Sequence, residues 1–201
     1  MKLIPLLIGG ILGLAAGAAS ALVMAGMVGS GVRLSGGVDA DGWQSDWTIG
    51  STSANPWTRA RVARHGLLAL TREEAVYFTR SVDEDGTPLK EDCTYRVSGT
   101  GMPALWWSVT LYNGESYLPH NTDDALSYDL TDAMADGSAE AWAFTVSRER
   151  PADGRWVSSR TAGDFDLTLR LYKPSADLLA TPEATLPAPK IERISCGGQA
   201  S

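Results

Sequence analysis

The chain has 201 residues, 44% hydrophobic and 20% charged, with a formal net charge of −7; that length holds one ordinary domain and an appendage. Such an acidic balance repels phosphate backbones and anionic lipid heads, which argues against nucleic acid or broad membrane-surface binding. Two histidines and two cysteines give no Cys-x-x-Cys and no Cys/His spacing suited to zinc, so neither a metal nor a cofactor is expected.

The appendage comes first. From Leu3 to Val32 there is no ionisable residue. A transmembrane helix needs about 20 apolar residues, whereas the core of a signal peptide covers about 7–15, so residues 1–32 read as a single transmembrane anchor that meets the membrane through residues 3–32. Lys2 precedes the run and Arg33 follows it. Holding Lys2 on the cytoplasmic side makes this a single-pass protein of the bacterial inner membrane with its C-terminal domain in the periplasm. The alternative is a signal peptide cut after the small residues Ala16-Gly17-Ala18 or Ala19-Ser20-Ala21, which also puts the domain outside the cytoplasm. Gly9, Gly13, Gly17, Ala21, Ala25 and Gly29 recur every four residues, a groove on which a second copy of the helix could pack. Composition alone also yields such a stripe, since fourteen of the twenty-two residues from Gly9 to Ser30 are Gly, Ala or Ser.

Residues 33–53, rich in Gly, Ser, Asp and Thr, read as a flexible tether with a short strand around Trp47 to Ile49. Residues 54–201 then form the folded domain. Asn55-Pro56 starts a short helix, because the asparagine can cap the first turn and proline suits the first helical position. Its face of Trp57, Ala60, Arg61, Arg64 and Leu68 should meet the sheet, with a stop near Gly66. Arg59, Arg61, Arg64 and His65 form the one basic cluster, read as the solvated face of that helix.

From there the period changes to two. Val76 and Phe78 alternate with Tyr77 and Thr79, and Asp83-Glu84-Asp85-Gly86 reads as a hairpin turn without the ligand spacing of a calcium loop. Tyr95 and Val97 pair next, then Trp107, Val109 and Leu111 oppose Trp106, Ser108, Thr110 and Tyr112. Trp142, Phe144 and Val146 oppose Ala141, Ala143, Thr145 and Ser147. In "DFDLTLRLY", Phe165, Leu167, Leu169 and Leu171 face away from Asp164, Asp166, Thr168 and Arg170. Strands that each bury one face make a mainly β, antiparallel β-sandwich or jelly roll. "KIERIS" adds an edge strand that brings Cys196 back towards Cys93, and outside the cytoplasm those two can form a disulfide.

Little of this carries chemistry. There is no Gly-x-Ser-x-Gly elbow, Ser-x-x-Lys, phosphate loop or His-Glu-x-x-His, so no catalytic residue is assigned. His120, in a loop beside Asn121 and Asp123, is the better placed of the two histidines; its plain reading is a solvated loop histidine. Asp123 and Asp124 shape a turn, and Asp164 and Asp166 mark a wet strand face. Trp107 and Trp142 read as core, leaving Trp43, Trp47 and Trp156 free to contact a ligand or the membrane interface.

The run from about Asn55 to Ile194 resembles a bacterial family catalogued only as domain of unknown function 1214. The cues are "RARVARHGLLALTREEAVYF", "DEDGTPLKEDCTYRVSG", "WWSVTLYNGESYLPHN" and "FDLTLRLYKP" followed by "LPAPKIERI", in that order. The resemblance implies a jelly-roll sandwich, in some members carried on an N-terminal membrane segment, and supplies no reaction. Ala125 and Leu126 stand where the family pattern has Arg and Tyr, and Arg155-Trp156-Val157-Ser158 replaces an Asn-Trp-Leu-Pro segment. Tyr112, Asn121 and Arg170 remain the matching polar positions; with His120 they form the candidate ligand site. The reading is a non-enzymatic, membrane-tethered envelope β-sandwich acting as a binding or assembly module, its partner an envelope protein or a small ligand. The alternative is an envelope enzyme or carbohydrate-binding protein using the loop from His120 to Asp132 with Arg170.

Overall fold

A computed structural model describes residues 3–25, 37–52, 54–64 and 70–197. Helix α1 (Leu3–Met24) is 22 residues long, about 33 Å at 1.5 Å per residue, which matches a hydrocarbon core of about 30 Å. Its window Leu7–Met24 has a mean hydropathy of 2.0 and is 0% buried. Gly9, Gly13 and Gly17 have nothing within 4 Å of where a Cβ would stand. Gly29 and the end of the expected anchor lie outside the described residues.

The described residues then form ten strands: β1 (Gly37–Ala40), β2 (Trp43–Asp46), β3 (Ala75–Arg80), β4 (Cys93–Thr100), β5 (Ala104–Asn113), β6 (Ser127–Asp129), β7 (Ala141–Ser147), β8 (Trp156–Ser158), β9 (Phe165–Pro174) and β10 (Lys190–Cys196). A six-stranded sheet has the order β1-β2-β3-β9-β5-β6 and a four-stranded sheet the order β10-β4-β7-β8. Every pairing is antiparallel except β7 with β8. The expected mainly β sandwich is therefore present.

The two sheets close on one core because the apolar half of each alternation points inward. Trp107 on β5 lies against Trp142 on β7, ring centroids 4.7 Å apart. Tyr128 on β6 stacks on Phe144 at 4.8 Å. Burying each such ring contributes about 1.5–3 kcal/mol relative to exposure. Gly99 makes room for the Trp142 indole: a Cβ there would sit 2.2 Å from Cζ2 of Trp142. The Trp142 Nε1–H is spent on the Thr100 carbonyl at 2.7 Å.

Residues 37–46 correct the expected tether, since they form a hairpin at the edge of the large sheet. Asp41 and Gly42, at φ 52° and 84°, give the turn two positive φ values, the backbone twist that two-residue hairpins favour. Trp43 is fully buried and donates Nε1–H to the Pro189 carbonyl at 2.8 Å. Trp47 to Ile49 form a turn rather than a strand, with Trp47 packed 5.6 Å from the Phe78 ring. Trp156 donates to the Ser147 carbonyl at 2.9 Å. None of the three tryptophans assigned to outside contact is free: each is buried or partly buried with a structural partner.

Helix α2 (Pro56–Arg64) begins as expected, the Asn55 Oδ1 accepting from Trp57 N at 3.0 Å and Thr58 N at 2.9 Å. Among its described side chains Thr58 and Val62 are buried, with Ala54 just before the helix, while Trp57 and Ala60 of the expected face are partly buried; the Arg61 and Arg64 side chains lie outside the described ones. Arg59 turns back onto the Ala54 and Thr52 carbonyls. His65, Gly66 and Leu68 lie outside the described residues. Helices α3 (Leu130–Ala135), α4 (Ala176–Ala180) and α5 (Pro182–Thr185) were not read from the sequence. The β10 strand does form, placing Cys196 opposite Cys93 in register, and the two are disulfide-bonded across a separation of 103 residues. Closing a loop of that size stabilises the fold by roughly 4–5 kcal/mol in the chain-entropy model.

Candidate functional site

With Val76, Phe78, Val109, Leu111, Leu167 and Leu169 turned inward, the alternate residues of β3, β9 and β5 lie on the outer face of the large sheet. Pairing places Tyr77 beside Arg170 and Arg170 beside Ser108. Thr79, Thr168 and Thr110 form the next row, Tyr172 and Trp106 a third, and Asp166 with Tyr112 a fourth.

An ordinary solvated sheet face carries lysines and glutamates; this one carries hydroxyls, rings and one arginine. Thr79 and Thr168 hydrogen-bond through their hydroxyls at 3.1 Å, and Thr168 also donates to Asp166 Oδ1 at 3.2 Å. Ser108, Thr110 and Thr168 are only 5%, 7% and 7% exposed although they belong to the outward-facing set. Trp106 packs edge-on to Tyr172 at 5.4 Å.

Arg170 is the electrostatic centre. Its Nη2 donates to the Tyr112 hydroxyl oxygen, and its guanidinium carbon lies 5.4 Å from the Tyr112 ring centroid. Its Nε is buried without a partner, and among the described residues no carboxylate forms an ion pair with it. Four other arginines of the domain are tightly paired: Arg80 with Glu84 at 2.9 Å, Arg155 with Asp132 at 2.9 Å and Asp136 at 2.8 Å, Arg160 with Asp123 at 3.0 Å, Arg193 with Asp83 at 3.1 Å.

Burial pushes the Tyr112 phenol above its usual range, opposed by the Arg170 charge, and burial likewise raises Tyr77. Both remain neutral donors at physiological pH. Burial also pushes the Asp166 carboxyl up to about 6, against the Thr168 hydroxyl that favours the anion. The wet face expected for Asp166 is thus corrected: the carboxyl is partly buried between Tyr112 across the strand gap and Thr168.

Of the four expected ligand residues, Tyr112 and Arg170 come together; His120 and Asn121 join a different structure. Asn121 Nδ2 donates to the Arg160 carbonyl at 2.9 Å, and its Oδ1 accepts from Asp123 N at 3.1 Å. His120 is exposed, its carbonyl accepting from Thr161 Oγ1 at 3.0 Å. Asp123 binds Ser158 Oγ at 2.6 Å and Arg160 at 3.0 Å, which hold its carboxyl below the usual range, the serine contributing more. Asp129 and Asp132 close a capping box on α3. The loop from His120 to Asp132 is therefore a clasp between the ends of β5 and β9. Tyr77, Thr79, Asp166, Thr168 and Tyr172 were missed as site residues, although the polar half of "AVYFTR" and "DFDLTLRLY" already held them.

Away from this face, an open groove of about 400 Å³ lies at one end of the sandwich beside Met102, Pro103, Trp107, Leu130, Glu140 and Pro187. It brings one carboxylate and no cation together.

A two-sheet sandwich with a polar, ring-bordered outer face defines the class structurally. The chain belongs to the family described as "Protein of unknown function (DUF1214)", whose model matches residues 74–176. All three strands that carry the outer face fall within that segment. The fold is similar to the crystal structure of the VPA0106 protein from Vibrio parahaemolyticus, at 21% identity and a TM-score of 0.55, over 71% of this chain and 36% of that one. An uncharacterised protein from Burkholderia cenocepacia matches at 22% identity and a TM-score of 0.37, over 64% of this chain and 31% of that one. The chain thus spans about a third of the length of either protein. No curated protein matches.

The Asp166 carboxyl yields a stability prediction. Its folded value of about 6 lies above the 3.8 of a free side chain, so the folded state holds the proton more tightly. Stability should fall as pH rises from about 4 to about 6 and stay lowered above that, a cost of up to about 3 kcal/mol. Asp166→Asn removes the charge and keeps the acceptor for Thr168. In denaturant titrations it should match the parent near about pH 4 and exceed it by roughly 1–3 kcal/mol near about pH 7.5. Equal destabilisation at both pH values would contradict the assignment.

Proposed function

We propose that this is a single-pass, membrane-tethered binding module of the bacterial envelope, facing the periplasm, whose outer sheet face around Arg170 and Tyr112 takes a small polar ligand without transforming it. The observation that carries the reading is the partly buried arginine without a counter-ion, set among hydroxyls and rings in an acidic protein. An uncompensated, partly desolvated charge costs free energy that a ligand acceptor would offset. A catalytic reading would start from Asp166, whose value near 6 suits a general acid or base. The hydroxyl it contacts, Thr168, is itself bonded to Thr79 and is nearly buried, which suits a structural role in the sheet. The apolar helix α1 supports tethering, and the Cys93–Cys196 bond supports an oxidising compartment.

Detergent-solubilised full-length chain, screened by thermal shift against sugars, small acids and lipid headgroups, tests the binding reading. A saturating ligand at about 100 times its Kd adds about 2.7 kcal/mol of stability. The rise should vanish in Arg170→Gln and shrink in Tyr112→Phe; a rise unchanged in both variants would move the site elsewhere. The periplasmic orientation predicts that chain taken from cells under alkylating conditions carries no reactive thiol at Cys93 or Cys196. Full labelling of both would overturn it.

A further inference from the structure

We infer that the ligand is a carboxylate carried on a hydroxylated ring, a sugar acid in chemical class, with the carboxylate on Arg170 and the ring extending along β9 towards Trp106 and Tyr172. The inference rests on the reading of the outer face as the binding surface and specifies what that surface selects.

Charge comes first. Arg170 lacks the carboxylate that Arg80, Arg155, Arg160 and Arg193 each have. A guanidinium carries five N–H donors in a planar fork that matches a carboxylate bidentately. Tyr112 occupies one Nη2 donor and Nε is buried out of a ligand's reach, so a carboxylate would take the remaining Nη donors. A dianionic phosphate fits poorly. The face offers one cation in a chain of net charge −7, and no helix N-terminus is among the strands that build it.

The neighbours of Arg170 specify the rest. Its cross-strand partners are Tyr77 on β3 and the buried Ser108 on β5, so the half-buried Tyr77 phenol stands beside the charge on the reachable side. Hydroxyls both donate and accept, which suits the hydroxyl groups of a sugar. Tyr172 follows two residues along β9 on the same face, about 6–7 Å away at the usual strand rise, with Trp106 edge-on beside it. That separation is about the reach of a six-membered ring bearing a carboxylate, and an aromatic pair at its far end offers an apolar surface to the ring C–H groups.

The probes are D-glucuronate and D-glucose, which differ only in the carboxylate at carbon six, titrated calorimetrically into the detergent-solubilised full-length chain. Glucuronate should bind saturably and at least about tenfold more tightly than glucose, and Arg170→Gln should abolish the difference. Tyr112→Phe, which keeps the ring and removes the phenolic oxygen, should weaken glucuronate by about three- to tenfold and serves as the readout where Arg170→Gln does not fold. Equal binding of both sugars, insensitive to Arg170→Gln, would overturn the carboxylate assignment. No saturable heat from glucuronate would overturn the sugar-acid class. In either case a neutral compound that stabilises the parent but not Arg170→Gln in the thermal screen would leave the outer face standing as the binding surface.

Discussion

The contact between Trp107 and Trp142 across the two sheets is the constraint from which the rest of the domain follows. Both indoles are almost fully buried, and Gly99 is the space one of them occupies. Fixing Trp107 inward fixes the parity of β5, and β5 pairs with β9 over nine registered positions, from Ala104 opposite Pro174 to Asn113 opposite Phe165. Side chains alternate with period two, so a slip of one residue would drive Arg170 and Asp166 into the core and turn Leu169 and Leu171 to the outside. The outer face is thus a consequence of core packing, held in place without contributing to the core.

That face differs from the remaining surface in how its charge is handled. Several ion pairs elsewhere join loops to the sandwich: the Arg155 pair stitches α3 to the start of β8, and the Arg160 pair ties the β8–β9 turn to the loop after β5. These pairs are partly exposed and contribute little stability individually; their role is to fix loop ends. On the outer face, among the described residues, Arg170 forms no ion pair. Arg170 is held by a tyrosine, and the nearby carboxyl Asp166 is raised to about 6 by burial and has no arginine partner. An unpaired guanidinium on this face is the group available to an anionic ligand, most favourably as Asp166 takes up its proton on the acid side of about 6.

Much of the architecture was legible because it depends on local periodicity. The alternation of Phe165 to Leu171, Trp107 to Leu111 and Trp142 to Val146 assigned the inward faces, and Asn55-Pro56 marked the start of α2. The β1–β2 hairpin was also legible in "VDADGWQS", where Asp-Gly sits between alternating residues, but the surrounding Gly, Ser and Asp masked it as tether. The parallel pairing of β8 with β7 was not legible, since three residues carry no directional signal. Tyr112 and Arg170 could be chosen as polar positions on good strands. His120 and Asn121 could not be excluded, because their partners at Arg160 and Thr161 lie about forty residues away in sequence. The burial of Asp166 depends on the side chains facing it across the sheet, which only the register supplies.

The central claim, that ligand recognition lies on the outer face and not in the loop or the core, is tested most directly by fluorine NMR of the chain carrying fluorotyrosine. Its six tyrosines sample all three environments: Tyr77, Tyr112 and Tyr172 on the face, Tyr95 and Tyr128 in the core, Tyr117 in the loop after β5. Addition of glucuronate should shift the Tyr77, Tyr112 and Tyr172 resonances saturably and leave Tyr95, Tyr128 and Tyr117 in place. Shifts confined to Tyr117, or to the core pair, would contradict the claim and move the site off the sheet.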